Sequence, residues 1–501
     1  MSEHIRPGDL VAQIYDDDFG FRPTNASIKP VHVANGLGRA LLARSYRSTA
    51  LAQTLRRWVR NQRVGLDEER NPNHEVLERY GGVFRGATSV EVDLSRLTSF
   101  RALAWDVLGA DQGVYENPDT SSYTLANERF LTRDPSDNRS GLFLAQLLTV
   151  TSDGPAATRI RDLLASATDP WTTLAWPLLM LAEQRLEDSD EAGADGAMHL
   201  FAQSGDGTLQ SPTLRQLRTA YDRLAEFDSG EGSKLNALRR LVLFGCFTIH
   251  VHMCSRWSEV DSQAPRPPIF LDVFDGTRSS LRDTSRATLR AASDAIEGLI
   301  ATRIRQHLTA AIGQDGLERW LGHLDATDPT VRTRYDAHAH DGQLSGLDAL
   351  TEAMLETGIE ANRHHPIVFL TELGRRAGYL RPWANAGRGG RLQKRYGVTA
   401  EFLEILVAAT VEPDNPLEFP EFLDALRDVF GIVAGRWEED EVIRRNNLRP
   451  GQFGMPVSVA EEDLRMNVEA LRQALLHTGY AKSYADSRTI VTTAPETVGV
   501  L

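Results

Sequence analysis

Two carboxylates and two blocks of basic side chains are the residues of this chain best placed to do chemistry. In Leu271-Asp272-Val273-Phe274-Asp275-Gly276-Thr277 an apolar run delivers Asp272 and Asp275 to a turn, and Arg278, Arg282 and Arg286 follow. Two carboxylates at a strand end are the raw material of metal-dependent hydrolase or nuclease chemistry. Residues 375–395 hold Arg375, Arg376, Arg381, Arg388, Arg391, Lys394 and Arg395 and no acid. Gly387, Gly389 and Gly390 free that backbone to approach a ligand closely. The cations can grip phosphate oxygens, and Trp383 or Tyr396 can stack on a base. Residues 39–63 again hold seven basic residues and no acid, with Arg56, Arg60 and Arg63 on one helical stripe. The chain carries a net charge of −14, so two blocks of +7 leave −28 for the remainder. Such segregation marks both blocks as places to seek an anionic partner, DNA or an acidic protein surface.

The carboxylate run resembles the DxDGT motif of haloacid dehalogenase-like phosphatases, where an Asp nucleophile and an Asp acid two residues on share a strand end. Here two residues, not one, separate the aspartates, so a regular strand would point them to opposite faces. A strand ending in an Asp-Gly turn accounts for the run better, and Asp272 and Asp275 stand as the candidates for catalysis. Cys246, His250 and Cys254 lie on one helical stripe, with His252 off it. The two cysteines are eight residues apart, roughly 12 Å along a helix, too far for one metal ion or a disulfide. A buried core helix is the expectation. Asp336–Gly342 contains His338 and His340 in an HxH pattern, but no buried strand precedes it, so a polar linker is expected. His364-His365-Pro366 reads as a helix start. No phosphate-binding P-loop, dinucleotide fingerprint, nucleophile elbow or kinase set occurs. Neither a metal site nor a cofactor is predicted.

Helices must carry these residues. Apolar periodicity predicts them over 36–63, 99–109, 141–150, 156–167, 171–187, 212–227, 234–257, 283–312, 315–324, 345–357, 366–378, 399–411, 419–433 and 461–477. Strands are expected only at Ser89–Leu94, Ile269–Phe274 and Thr489–Thr493. Breaks rich in Gly, Asp, Ser and Pro, among them 325–346, divide the chain into an N-terminal mixed part (1–135), a central helical part (136–360) and a C-terminal part (361–501). The expected fold class is mainly α, a multi-domain helical protein with minor β. Three helices and a short hairpin around Ala485-Asp486-Ser487 give the C-terminal region the order of a winged helix. Residues 396–462 carry fourteen acids against five arginines, which would repel DNA. A winged-helix-like interaction module is expected there, with phosphate contact coming from 375–395.

Composition sets the frame. Apolar residues are 41% and charged residues 25% of 501, which excludes a disordered, collagen-like or membrane-embedded chain. The longest nearly apolar run, Leu241–Cys254, is shorter than the roughly 20 residues of a membrane span. No signal peptide pattern opens the sequence, and a reducing, cytoplasmic location is expected. Only Lys29, Lys234, Lys394 and Lys482 are lysines, an arginine bias that fits a GC-rich bacterial genome.

Two segments carry a further resemblance, PPIFLDVFDGTRSSLRDTSRATLRAA (267–292) and LGRRAGYLRPWANAGRGGRLQKRYGVTAEFLEILVAATV (373–411). They cover about an eighth of the chain and are similar to accessory proteins of bacterial multi-gene antiphage defence and DNA-modification-linked systems. The resemblance implies a cytoplasmic subunit working with proteins of the same operon, and brings no catalytic residue with it. The expected function is therefore a non-enzymatic DNA-binding or scaffolding subunit of such a complex. The alternatives are a hydrolase or nuclease using Asp272 and Asp275, or a winged-helix transcription regulator.

Overall fold

The computed structural model describes residues 5–42, 46–48, 50–59, 66, 69–87, 91–115, 131, 137–150, 154–166, 184–186, 208–228, 234–264, 266–312, 316–340, 344–382, 394–435 and 461–493. Helix α1 (Pro7–Ile14) runs into a π-turn (Tyr15–Phe19). After it come α2 (Pro30–Leu42), β1 (Tyr46–Ser48), α3 (Ala50–Val59), α4 (Pro72–Ala87), α5 (Leu94–Tyr115), α6 (Ser140–Thr149), α7 (Pro155–Ser166) and β2 (Gln184–Leu186). The middle of the chain forms α8 (Pro212–Phe227), α9 (Lys234–Val260), β3 (Ile269–Phe270), α10 (Ser279–Ile312), α11 (Leu317–Thr327), α12 (Pro329–His340) and α13 (Gly346–Ala361). The last third forms α14 (Pro366–Ala377), β4 (Leu380–Arg381), β5 (Arg395–Tyr396), α15 (Ala400–Thr410), β6 (Leu417–Glu418), α16 (Phe419–Phe430), β7 (Ile432–Val433), α17 (Glu461–His477), β8 (Ala481–Ser483) and β9 (Thr489–Val491). The protein is mainly α-helical, with strands of two or three residues.

Helix α9 is buried on every face from Leu241 to Trp257 and mostly apolar, with Thr248, His250, His252, Ser255 and Arg256 as its polar residues, which suits a helix with no solvent side. It packs against α2, α7, α8, α10, α14 and α15. The segment Asn236–Val260 is longer than its apolar run suggested and passes for a membrane span by length and composition, but 89% of its most apolar window is buried inside the protein. Around α9 one apolar cluster runs from Leu10 to Val491, drawing on residues either side of 135 and of 360. A second, smaller cluster joins Leu55, Trp58, Val59, Leu66, Val76, Phe84, Leu97 and Ala104 of the α3–α5 region.

Local chemistry explains the helix ends. The Ser211 hydroxyl accepts from Leu214 N–H ahead of Pro212 at the start of α8, and Thr399 accepts from Phe402 N–H at the start of α15. Among the described residues the short strands close four small sheets. β1 pairs antiparallel with β2, β3 runs parallel to β7 (Ile269 opposite Ile432), β4 pairs antiparallel with β5, and the last sheet has the order β6-β9-β8.

Some expectations change. Among the described residues of Ser89–Leu94 there is no strand, because Asp93 accepts the Arg96 N–H (2.8 Å) and starts α5 at Leu94. The expected strand Ile269–Phe274 stops at Phe270, where the chain turns. The helix expected at 171–187 lies outside the described residues up to 183, and Gln184–Leu186 is strand. The stretch 325–346, expected as a linker, contains α12. Ion pairs such as Arg334–Glu360 hold it in place of an apolar stripe, since only Val331 is buried.

Candidate functional site

The two expected sites of opposite charge meet. As β3 ends, Asp272 turns inward and is 2% exposed. Its Oδ1 accepts the Phe274 N–H (3.0 Å), and its Oδ2 accepts the Gly276 N–H (2.8 Å) and Arg395 Nε–H (2.9 Å). Arg395 also donates to Asp275 Oδ1 (2.8 Å), which lies 3.4 Å from Arg381 Nε. Asp275 and Gly276 have φ of 52° and 78°. A Cβ at Gly276 would stand 2.8 Å from the Arg395 guanidinium carbon, so glycine is required both by the left-handed turn and by the arginine resting on it.

Hydrogen bonds fix the other side of this junction. Asp272 N–H donates to Tyr396 O (3.1 Å), and the Ser285 hydroxyl of α10 serves both Tyr396 O (3.1 Å) and Tyr396 N–H (2.8 Å). Tyr396 Oη reaches His250 Nε2 at 2.9 Å in the α9 core. His250 is thereby a partnered core residue, and burial pushes its imidazole down to about 3. Burial also pushes the Cys254 thiol up to about 12 and raises that of Cys246, so both cysteines are inert thiols. Burial raises the Asp272 carboxyl although Arg395 and two backbone N–H groups oppose it.

Glu372 of α14 organises the rest of the second basic block. Lys394 Nζ donates to its Oε1 (2.8 Å), Arg375 to its Oε2 (3.2 Å), and Arg376 lies 3.9 Å away. Burial alone would raise the Glu372 carboxyl, but the Lys394 and Arg375 partners outweigh it and the group is lowered. Arg375, Arg376, Arg381, Lys394 and Arg395 are thus all matched to carboxylates of the same chain. Arg388 and Arg391 lie outside the described residues, as does Trp383. Of the first block's basic face, Arg56 belongs to α3, and Arg60 and Arg63 lie outside the described residues.

The histidine patterns resolve as structure. His338 Nε2 lies 3.3 Å from Glu356 Oε1 on α13. His365 caps α14. Its Nδ1 accepts the Ile367 N–H (3.1 Å), which leaves the proton on Nε2 to donate to Glu297 Oε1 (2.9 Å). Among the described residues no group of three or more His, Cys, Asp or Glu is arranged to hold a metal ion.

Helix α17 lies beside the Asp272 turn. Asn467, fully buried, donates to Leu271 O (2.7 Å) and Ala434 O (2.9 Å) and accepts the Val273 N–H (3.1 Å). One side chain thereby ties α17 to the ends of β3 and β7. Asp463 accepts from Arg278 (2.8 Å) and from the Ser280 hydroxyl, and Arg278 lies over the Phe274 ring at 4.9 Å. Between Phe274 and α17 runs a groove of about 850 Å³, reaching from Glu461 to Gln473. On the exposed side of the helix Arg465 pairs with Glu462 (2.8 Å) and Arg472 with Glu469 (2.6 Å).

Sequence reasoning missed Glu372 because the basic block was drawn from 375. One helical turn further back stands the acid that serves it, at i, i+3 and i+4. Asn467 had a signal, since it is the single polar residue on the apolar stripe Leu464, Leu471, Leu475. The buried Asp18, held by Arg303 (2.7 Å) and Arg256 (3.2 Å), had none, being one of three consecutive aspartates.

In comparison with known proteins, no family model matches the chain and no curated protein matches it in sequence.

Proposed function

We propose that the protein is a non-enzymatic scaffolding subunit of a bacterial defence complex whose C-terminal elements form a winged-helix-like module that docks a protein in place of DNA. The observation that carries this reading is the exposed face of α17. The succession α15, β6, α16, α17 and the β8–β9 hairpin, with β9 central in the order β6-β9-β8, supports a winged-helix-like reading. In a DNA-reading module of that kind the helix before the hairpin enters the major groove and offers Arg, Lys, Asn or Gln to base edges. Here that helix offers Glu461, Glu462 and Glu469, and both its arginines already face its own carboxylates. Such a surface repels a phosphate backbone.

Two further points support a scaffold. The Asp272 carboxylate already accepts three hydrogen bonds, so it anchors the junction and is poorly free for a metal or a nucleophilic role. Five of the seven cations of the 375–395 block face carboxylates of the same chain, which weakens the basic surface expected for phosphate. The C-terminal part is then a functional division of a multi-part protein even though it shares the main apolar core. The antiphage setting rests on the resemblance of 267–292 and 373–411, and with it the cytoplasmic location.

The test is a fluorescence-anisotropy titration of a labelled DNA duplex with the full-length protein at low salt. Binding no tighter than the non-specific range, about 10⁻⁴–10⁻⁶ M, and insensitive to Glu461→Lys and Glu462→Lys, is the expected result. Tight, salt-sensitive binding lost on Arg388→Glu and Arg391→Glu would overturn the protein-docking reading in favour of a DNA-binding subunit.

A further inference from the structure

We infer that the groove between Phe274 and α17 receives an amphipathic basic helix of a partner protein, with apolar anchors on Phe274, Leu464 and Val468 and Lys or Arg flanks on the glutamates of the rim. The inference rests on the docking reading above and names the partner's chemistry. Glu461, Leu464, Arg465, Val468 and Glu469 follow one another at i, i+3, i+4, i+7 and i+8, so the groove runs along the helix axis. From 461 to 473 that is roughly 18 Å at 1.5 Å per residue. A channel of this length suits three turns of an incoming helix, which would read it with its own i, i+3, i+4, i+7 anchors.

The walls are fixed before anything binds. Arg278 holds the Phe274 ring from one side and is itself tied to Asp463 of α17. Asn467 pins the same helix to the β3 and β7 ends from beneath. A preformed groove reduces the ordering cost of association. Charge selects the occupant. Among its described residues the lining carries Glu461, Glu462 and Glu469 against Arg465, a net −2; Arg472 pairs with Glu469 and Arg278 with Asp463, and Glu461 adds a carboxylate outside these pairs. A basic helix gains from that field on approach and at the rim, whereas an acidic helix or a nucleic acid is repelled.

The probe is a pair of fluorescein-labelled 18-residue helical peptides with identical leucine spacing, one with Lys and one with Glu on the polar face. Each is titrated against the full-length protein at low and high salt. The Lys peptide should bind and the Glu peptide should not. Affinity for the Lys peptide should fall at least tenfold in Glu461→Lys/Glu462→Lys, whose positions are exposed, with circular dichroism confirming that the helix content is kept. It should fall similarly in Val468→Asp, with circular dichroism confirming that variant's fold. Equal binding of both peptides, or Lys-peptide binding untouched by both variants, overturns the inference. A dimer in sedimentation that dissociates in Glu461→Lys/Glu462→Lys also overturns it, since a second copy would then fill the groove. Failure of the Lys peptide with no DNA binding leaves the scaffold reading standing. Duplex DNA bound through α17 sinks both.

Discussion

Arg395 crosses from β5 to the 272–276 turn and places its Nε 2.9 Å from Asp272 Oδ2, where neither side chain has more than a tenth of its surface exposed. One ion pair thus joins the residues that the sequence offered as rival sites. Its value lies in what happens when half of it is removed. A buried charge left without its partner costs about 3–5 kcal/mol. Arg395→Met should lower the unfolding free energy by that amount in urea denaturation. Adding Asp272→Asn to it should cost less than the sum of the two single changes, because the partners are coupled. A loss under 1 kcal/mol for Arg395→Met would show that the junction does not depend on the pair.

Gly276 and Gly316 share a φ of 78°, but a Cβ meets Arg395 at the first position and open space at the second. Substitution by alanine costs backbone strain at both, about 1 kcal/mol. Gly276→Ala should cost about 1 kcal/mol more than Gly316→Ala, the difference reporting displacement of Arg395. Equal melting temperatures for the two variants would count against the close approach.

Tyr396→Phe removes the hydrogen bond between Tyr396 Oη and His250 Nε2. A buried polar atom left unpaired costs about 1–3 kcal/mol, so the variant should melt measurably lower. In the native protein, NMR titration should find the His250 ring neutral throughout pH 5–8, since burial pushes it down to about 3. A His250 resonance titrating near neutrality would mean that the α9 core admits water there.

Asp294 of α10 is pushed up to about 6 by burial, with the charge of Glu297 adding to the effect. Its folded value therefore exceeds its unfolded value near 3.9. The stabilisation linked to it is fully present below about pH 4 and is lost as pH rises through 6. Asp294→Asn should accordingly stabilise the protein at pH 7.5 by about 1 kcal/mol, a figure discounted for partial exposure. The gain should vanish near pH 4. Thermal melts of the two proteins across that range give the comparison, and a pH-independent difference would rule out titration of Asp294 as its source.

Helix positions were largely legible in the sequence because apolar periodicity and caps such as Ser211 and Thr399 act within a few residues. The carboxylate pair and the basic block were legible as separate features. Their meeting was not, because Asp272 and Arg395 are 123 residues apart and nothing in either segment encodes the other. Charge counting also treated 375–395 as a surface, when five of its seven cations face Glu372, Asp272 or Asp275. α12 escaped notice for a related reason: its hold on α13 is ionic, through Arg334 and His338, and leaves no apolar stripe to read.

The parallel pairing of β3 with β7, and the three bonds of Asn467 above it, set an order of events. Phe274 leaves the ribosome almost two hundred residues before α17, and the strand it follows has no neighbour until Ile432 and Val433 are made. Contacts of such long range close late. The groove therefore comes into being only once α17 has been made. A chain stopped before 461 would present β3 and Phe274 without the helix that packs beside them.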